Sequence, residues 1–177
     1  MSRIPLTSID QQPEAIRQFM ARHGELNVFR LLANAPEVFI GWAQMVDEMF
    51  DSPTIGARMR ALIVIRVAHL QRSAYELHQH VGLGRAAGLD GQQIDAILGH
   101  GEVGWAGFSR TELAVLDLVT ELCVTHRLQA DTFAGAHAAL GDEALTEVLM
   151  IISCYYGLAL VLNAVELDID ESAHLQV

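Results

Sequence analysis

The sequence predicts an all-α fold, and three observations support this prediction. Apolar residues recur with a period of about 3.6 residues through most of the chain. Alternation of apolar and polar residues with a period of two, which is typical of strands, is nearly absent. Pro, Ser and Asp precede several apolar stretches and Gly follows some of them, which is the usual punctuation of helices.

The first half of the chain contains four predicted helices. Pro13 occupies a favoured first-turn position and Gly24 ends the helix that it opens. Pro36 opens a longer helix with a broad apolar stripe, which Asp51, Ser52 and Pro53 break. The predicted ranges are Pro13–His23, Val28–Asn34, Pro36–Phe50 and a helix that begins between Thr54 and Ala57 and ends near Leu70.

The second half of the chain contains five further predicted helices, separated by short segments rich in Gly, Ser or Asp. A helix after Ser73 is expected to end near Leu83, because Gly82 and Gly84 weaken it. Ser109 and Glu112 form a capping-box pattern at the start of another helix. The predicted elements are Ser73–Leu83, a helix from about Asp90 to Gly99, a glycine-containing loop over His100–Phe108, and helices over Ser109–His126, Asp131–Leu140 and Asp142–Glu166.

Length and composition favour one globular domain. The chain has 177 residues, of which 51% are hydrophobic, enough for one sizeable core. We expect a single domain over residues 1–177, with residues 1–12 flexible or serving as an oligomer arm and residues 170–177 frayed.

Charge and hydropathy limit the partners and the location. The net charge of −11 argues against nucleic acid and anionic membrane surfaces as partners. The apolar run Val148–Leu162 falls short of a membrane crossing. The amino terminus lacks the apolar core of an export signal, so we expect a cytoplasmic protein.

The inventory of reactive residues excludes several chemistries. The chain contains no Lys, which removes side-chain Schiff-base chemistry and a P-loop lysine. Cys123 and Cys154 each lie in an apolar helical pattern, where a free thiol usually behaves as a small buried hydrophobe. Glu76 and His80 supply at most two metal ligands. We therefore expect no metal and no cofactor.

Ser73, Glu76 and His80 are the main candidates for chemistry. On a helix they fall within an arc of about 60°, so their side chains could converge on one pocket. A carboxylate one turn before an imidazole can orient the ring and raise its pKa, which suits a general base or proton shuttle. The alternative is structural: Ser73 and Glu76 also form a capping-box pattern, and His80 could be an ordinary satisfied histidine.

Three neighbouring residues lie outside the arc formed by Ser73, Glu76 and His80 on the helical wheel. His78 points to the opposite side and is expected at another surface or a subunit contact. Tyr75 lies off the arc, and packing with its hydroxyl hydrogen-bonded is the simplest reading. His69 joins the arc only if the helix continues unbroken past Leu70.

Other polar residues stand alone in apolar stretches. Arg66 is the one charge in ALIVIRVA and is either structural, paired with a carboxylate, or at a subunit interface. Tyr155 and Tyr156 are expected to pack in the core, with their hydroxyls reaching a polar pocket or an interface.

The segment RALIVIRVAHLQRSAYELHQH resembles the signature of the carboxymuconolactone decarboxylase and alkylhydroperoxidase D (AhpD) superfamily. The resemblance extends from about Leu26 to Asp168. It implies an AhpD-like helical bundle that assembles into homotrimers or hexamers, with active sites near subunit contacts.

The peroxidase branch of this superfamily carries a Cys-x-x-Cys-x-x-x-His motif with a His between the cysteines and an upstream Glu. In this chain Ser73 and Glu76 stand at the two Cys positions, Tyr75 at the intervening His and Ala61 at the Glu. Only the final His is kept, as His80. Because a serine hydroxyl is neither redox-active nor ionised near neutral pH, the resemblance argues against thiol peroxidase chemistry, which remains a third reading.

The decarboxylase branch implies a cofactor-independent lyase or isomerase acting on a small carboxylated lactone. His80 would be the general acid/base, and Glu76 would orient it or transfer a proton itself. The alternative is a non-catalytic ligand-binding or structural oligomer of the same fold. The lyase reading assigns His80, Glu76, Tyr75 and Ser73 to catalysis and Arg66, His69 and Tyr156 to substrate binding.

Overall fold

The structure is a computed structural model and describes residues 2–99 and 106–170. Within these residues it contains helices and no strands, which confirms the all-α prediction. The predicted loop over 100–108 and the predicted frayed tail lie mostly outside the described residues. The helices are α1 (Glu14–His23), α2 (Asn27–Leu32), α3 (Pro36–Asp51), α4 (Ala57–Leu70), α5 (Ala74–Ala86), α6 (Gly91–Ile97), α7 (Arg110–Thr125) and α8 (Ala130–Val165).

The described residues divide into two compact units, one formed by residues 2–52 with 161–170 and the other by residues 53–99 with 106–160. The first unit is built on an aromatic cluster. The Phe19 ring meets Phe29 edge-on at 4.9 Å and Phe39 edge-on at 5.6 Å, and Trp42 lies against all three. This geometry is the favoured one for aromatic pairs and explains why α1, α2 and α3 pack together.

The amino-terminal segment, which we expected to be flexible or an oligomer arm, makes defined contacts within the first unit. The amide of Ser2 donates to the Asp168 carboxylate at 2.9 Å, and the amide of Arg3 donates to the carbonyl of Val165 at 2.8 Å. The Thr7 hydroxyl donates to the carbonyl of Arg30 at 2.9 Å.

The second unit is organised around α4. Residues 61–65 together with Val67 and Ala68 are all buried, because the segment ALIVIRVA is apolar on every side. α4 packs against both α5 and α7. It is therefore the central helix of the unit that carries the candidate chemistry.

α4 and α5 are separate helices. Arg72 has a φ of 54°, which ends α4, and the amide of Ser73 donates to the carbonyl of Ala68 at 2.9 Å before α5 begins. The condition under which His69 would join the Ser73, Glu76 and His80 arc is therefore not met. The break redirects α5 relative to α4.

α5 does not end near Leu83 as predicted but continues to Ala86. Gly84 lies so close to α4 that an added Cβ would come within 2.8 Å of Ile65 Cδ1 and 3.1 Å of Leu89 Cδ1. Gly84 thus permits close helix packing and does not terminate the helix. Gly82, by contrast, has open space around its Cα.

We expect Gly84→Val to lower the free energy of unfolding by about 1–3 kcal/mol, because the added methyl groups would displace the packed side chains of Ile65 and Leu89. Gly82→Val is the matched control, since it places the same side chain on the same helix in open space, and its effect should stay within about 0.5 kcal/mol. Denaturant titration of both variants measures this difference. Equal losses at the two positions would contradict close packing at Gly84.

The helix ends in the last third follow the predicted signals. The capping box of Ser109 and Glu112 is formed, with the Ser109 amide donating to the Glu112 carboxylate at 2.7 Å. α8 is interrupted at Gly141 (φ 75°, ψ 179°), which separates the two predicted helices. By length and composition alone α8 could cross a membrane, but core helices of soluble proteins pass the same test, so this is weak evidence for a span.

Candidate active site

Glu76 is a buried carboxyl group beside the Ser73 hydroxyl. It lies in the first turn of α5 and is 2% exposed, and among the described residues neither of its oxygens makes a hydrogen bond of normal geometry. The Ser73 hydroxyl, one turn earlier, is fully buried and also makes no well-formed hydrogen bond there. Unsatisfied buried polar groups are rare in folded proteins and are concentrated where function requires them.

The capping box predicted for Ser73 and Glu76 is wrong. Ser73 does precede α5 with extended backbone, but its side chain makes no capping hydrogen bond and Glu76 does not bond back. A formed box needs the carboxylate to fold towards the helix start. Here the Glu76 carboxyl is instead enclosed among buried side chains.

The surroundings of Glu76 favour its protonated form. Burial raises the pKa of Glu76 to about 8, and the nearby Ser73 hydroxyl opposes this shift only in part. Glu76 is therefore mainly a neutral carboxylic acid at pH 7. It can donate a proton where an ordinary glutamate cannot.

His80 lies one turn further along α5 and is 6% exposed. Its ring meets the Tyr155 ring edge-on, with the centroids 5.1 Å apart. The expectation that a neighbouring carboxylate raises the pKa of His80 is wrong: burial, and then the charge of Arg60, lower it to about 3. His80 is therefore a neutral imidazole at physiological pH.

Arg60 and Tyr155 extend this cluster from α4 and α8. Arg60 is 7% exposed and donates from Nη1 to the carbonyl of Ile55 at 3.2 Å. Its charge acts on both His80 and Tyr155. Burial raises the pKa of Tyr155, so its phenol stays protonated. The cluster therefore combines a buried cation with a neutral acid, a neutral imidazole and a phenol.

Sequence reasoning did not select Arg60 and assigned Tyr155 only to the core. Arg60 precedes the apolar stretch of α4, and its nearest charged neighbour in sequence is another arginine, Arg58. A buried charge at the edge of a hydrophobic helix was the one available signal. Tyr155 gave the weaker signal of a tyrosine within an apolar run.

The other predicted residues divide between two regions of the second unit. Tyr75 is buried in the first turn of α5, next to Glu76, whereas His78 is exposed as expected. Arg66 faces α6 and α7, where it donates to Ile97 and Thr120. His69 and Tyr156 also face these helices: His69 Nε2 lies close to Gly99, and the Tyr156 ring meets His126 edge-on at 6.1 Å.

The structure brings neither thiol into a reactive arrangement. Cys123 is buried, and burial raises the pKa of its thiol to about 11 despite the opposing charge of Arg66. Cys154 is half-buried beside Tyr155 on α8. Neither cysteine forms a disulfide with another described residue. In residues 2–99 and 106–170 no three His, Cys, Asp or Glu side chains are grouped as a metal site would require.

Comparison with solved structures identifies the fold. A peroxidase-related protein with an AhpD core from Ralstonia eutropha JMP134 superposes with a TM-score of 0.82 at 19% identity, covering 96% of this chain and 93% of that one. A peroxidase-related protein from Silicibacter sp. TM1040 gives 0.82 at 14% identity, covering 99% and 95%.

A third similar structure is the debrominase Bmp8, solved as a cysteine-to-alanine variant with 2,3,4-tribromopyrrole. It superposes with a TM-score of 0.79 at 15% identity, covering 96% of this chain and 91% of that one. No curated protein matches the sequence. The profile of the carboxymuconolactone decarboxylase family matches residues 36–121. The family match over residues 36–121 and the shared helical fold support membership of the carboxymuconolactone decarboxylase and AhpD-like superfamily.

Proposed function

We propose that this protein is a cofactor-independent lyase that decarboxylates a small carboxylated lactone. The observation that supports the proposal is the burial of the Glu76 carboxyl group, which raises its pKa to about 8. Such a group is a proton donor held ready near neutral pH. A thiol peroxidase is disfavoured, because Ser73 and Glu76 replace the motif cysteines and the Cys123 thiol resists ionisation.

The proposed reaction has two balanced steps. The bond between the substrate carboxylate and its neighbouring carbon breaks, CO₂ leaves, and the electron pair passes into the lactone as a dienolate. Glu76 then transfers its proton to carbon, and solvent later restores that proton. The neutral imidazole of His80 and the phenol of Tyr155 supply hydrogen bonds to the developing negative charge.

Arg60 is the proposed anchor for the negative charge of the substrate. With Glu76 protonated and His80 neutral, the guanidinium supplies the positive charge of this cluster. A carboxylate bound near it gains a charge-assisted interaction in surroundings from which water is largely excluded. Arg66, first assigned to this role by sequence, faces a different region.

The decisive experiment measures CO₂ release from γ-carboxymuconolactone by the purified protein without added cofactor. Turnover should survive Cys123→Ser combined with Cys154→Ser, and Arg60→Gln should raise KM more than it lowers kcat. Absence of turnover over a panel of carboxylated lactones and β-keto acids would overturn the lyase proposal. Peroxide consumption that the double cysteine variant loses would instead indicate thiol chemistry.

The alternative is a non-catalytic ligand-binding or structural oligomer, and the enclosure of the cluster favours it. Ser73, Glu76, His80 and Tyr155 are all buried, so a ligand reaches them only after a local opening. Saturable binding of the lactone without CO₂ release would support this alternative.

We also propose that copies of the chain associate through an exposed apolar face of α8. Met150 and Leu160 are 49% and 53% exposed and share one side of the helix with the exposed Ser153 and Gly157. Large apolar side chains lined up on one helix face, with small residues between them, favour helix-to-helix contact.

Met150→Glu combined with Leu160→Glu should therefore lower the molar mass in solution to that of the 19.4 kDa monomer. Light scattering after size exclusion measures this change. Val38→Glu, at an exposed apolar residue on α3, is the control and should leave the assembly intact. A wild-type protein that already runs as a monomer would refute the proposed association.

We propose a cytoplasmic location, in keeping with the net charge of −11, which disfavours anionic membrane surfaces. Fractionation of cells should find the protein with the cytosol. Recovery in the membrane fraction after high-salt washing would contradict this location.

A further inference from the structure

A cavity lies in the same unit as the candidate active site and is lined by other residues. Its volume is about 420 Å³, which is within the range of sites for small molecules. Arg66 from α4 and residues of α6, α7 and the start of α8 line it. Glu76, His80 and Tyr155 are not among its lining residues. This cavity is therefore independent of the proposed lyase site.

Arg66 presents a fixed positive charge to this cavity. Its Nε donates to the Thr120 hydroxyl at 2.9 Å and its Nη1 to the carbonyl of Ile97 at 2.7 Å, while Thr120 donates onward to the carbonyl of Leu116 at 2.6 Å. These bonds hold the guanidinium plane in one orientation. Within the described residues, Nη2 has no hydrogen-bond partner and Arg66 forms no ion pair.

Two carboxyl groups line the same cavity without pairing with Arg66. Asp117 is exposed and Glu121 is half-buried, and both share the face of α7 that carries Thr120. One oxygen of Glu121 accepts from the amide of Gln129 at 3.1 Å, and the other is buried without a partner in the described part of the chain. A guanidinium and two carboxyl groups thus face one space, each retaining capacity for a charged partner.

The lining places these charges around one space. Asp117 is three residues from Thr120, to which Arg66 is bonded, and four residues from Glu121, so its Cβ atom is roughly 5–6 Å from theirs. The apolar side chains of Ile97, Leu116 and Val124 form the remaining wall.

We propose that this cavity binds a small zwitterion of the α-amino acid class, with its carboxylate on Arg66 and its ammonium on Asp117 and Glu121. A simple anion would be repelled by the two carboxylates, and a simple amine would bind them but leave Nη2 of Arg66 without an acceptor. A zwitterion satisfies both charges at once. An apolar side chain on the ligand would pack against Ile97, Leu116 and Val124.

The test is a calorimetric titration of the full-length protein with three probes of matched shape. L-Leucine carries both charges, 4-methylpentanoate lacks the ammonium group, and 3-methylbutylamine lacks the carboxylate. We expect L-leucine to bind at least tenfold more tightly than either analogue. Asp117→Asn and Arg66→Gln should each weaken its binding at least tenfold, whereas Glu76→Gln should leave it unchanged.

These binding measurements test the cavity independently of the proposed lyase activity. Asp117 is exposed and free of tertiary bonds, so Asp117→Asn remains informative even if Arg66→Gln fails to fold. Equal binding of L-leucine and 4-methylpentanoate would overturn the zwitterion assignment. Binding of no probe at millimolar concentration, or binding that survives both cavity variants, would overturn the site itself.

Discussion

Glu76→Gln should lower kcat for decarboxylation by about two to four orders of magnitude, the usual worth of a positioned proton donor. Glutamine matches the shape of the neutral glutamic acid that burial stabilises here, but its amide cannot supply an acidic proton. The variant should therefore fold and bind substrate while failing to protonate the dienolate. KM should change little, because the substrate charge is held by Arg60.

The control for this prediction is Glu37→Gln, which makes the same change at an exposed residue of α3. Its kcat should equal that of the wild-type protein. If Glu76→Gln kept more than a tenth of the wild-type kcat, Glu76 would not be the proton donor, and His80 would have to be reconsidered for that role.

The second large expected effect is a pH dependence of the unfolding free energy that is caused by Glu76. The folded-state pKa of Glu76 is raised to about 8 from a value of 4.5, so the folded protein keeps a proton that the unfolded chain releases. The resulting stabilisation is fully present below pH 4.5 and is lost as the pH rises to about 8. The loss should approach about 1.4 kcal/mol per pH unit within this window.

Glu76→Gln removes this titration. The variant and the wild-type protein should have similar unfolding free energies near pH 4.5, and the variant should become the more stable one by several kcal/mol towards pH 8. His80 contributes the opposite slope between about pH 6.5 and 3, since its folded pKa is lowered, but it does so in both proteins and cancels. Urea unfolding across this pH range tests the difference, and parallel curves would show that Glu76 is not protonated in the folded state.

The helices could be predicted because their ends are local. Pro36, Ser109 with Glu112, and Gly141 act on the backbone within a few residues, and all three mark boundaries in the structure. The end of α5 could not be predicted in the same way. Gly84 looks like a helix-weakening residue in sequence, but its role is contact with Ile65 on α4, which depends on the tertiary structure.

The residues of the candidate site that lie on or next to α5 could be predicted from the sequence, whereas those that other helices contribute could not. Ser73, Glu76 and His80 share a helical face and could be selected by spacing alone. Arg60 and Tyr155 join them only because α4 and α8 place their side chains beside His80. The direction of the His80 pKa shift was missed for the same reason. It depends on burial and on the charge of Arg60, which acts on His80 in the folded protein although it is 20 positions earlier in sequence.

The enclosure of Glu76 has a kinetic consequence. A carboxyl group that is 2% exposed neither meets substrate nor recovers its proton until the surrounding helices separate. In the proposed lyase, each turnover would therefore require a local opening of the unit. When that motion is slower than bond cleavage, the turnover rate follows solvent viscosity and is insensitive to the leaving carboxylate. The turnover rate of such an enzyme would then depend on how tightly α4, α5 and α8 pack together.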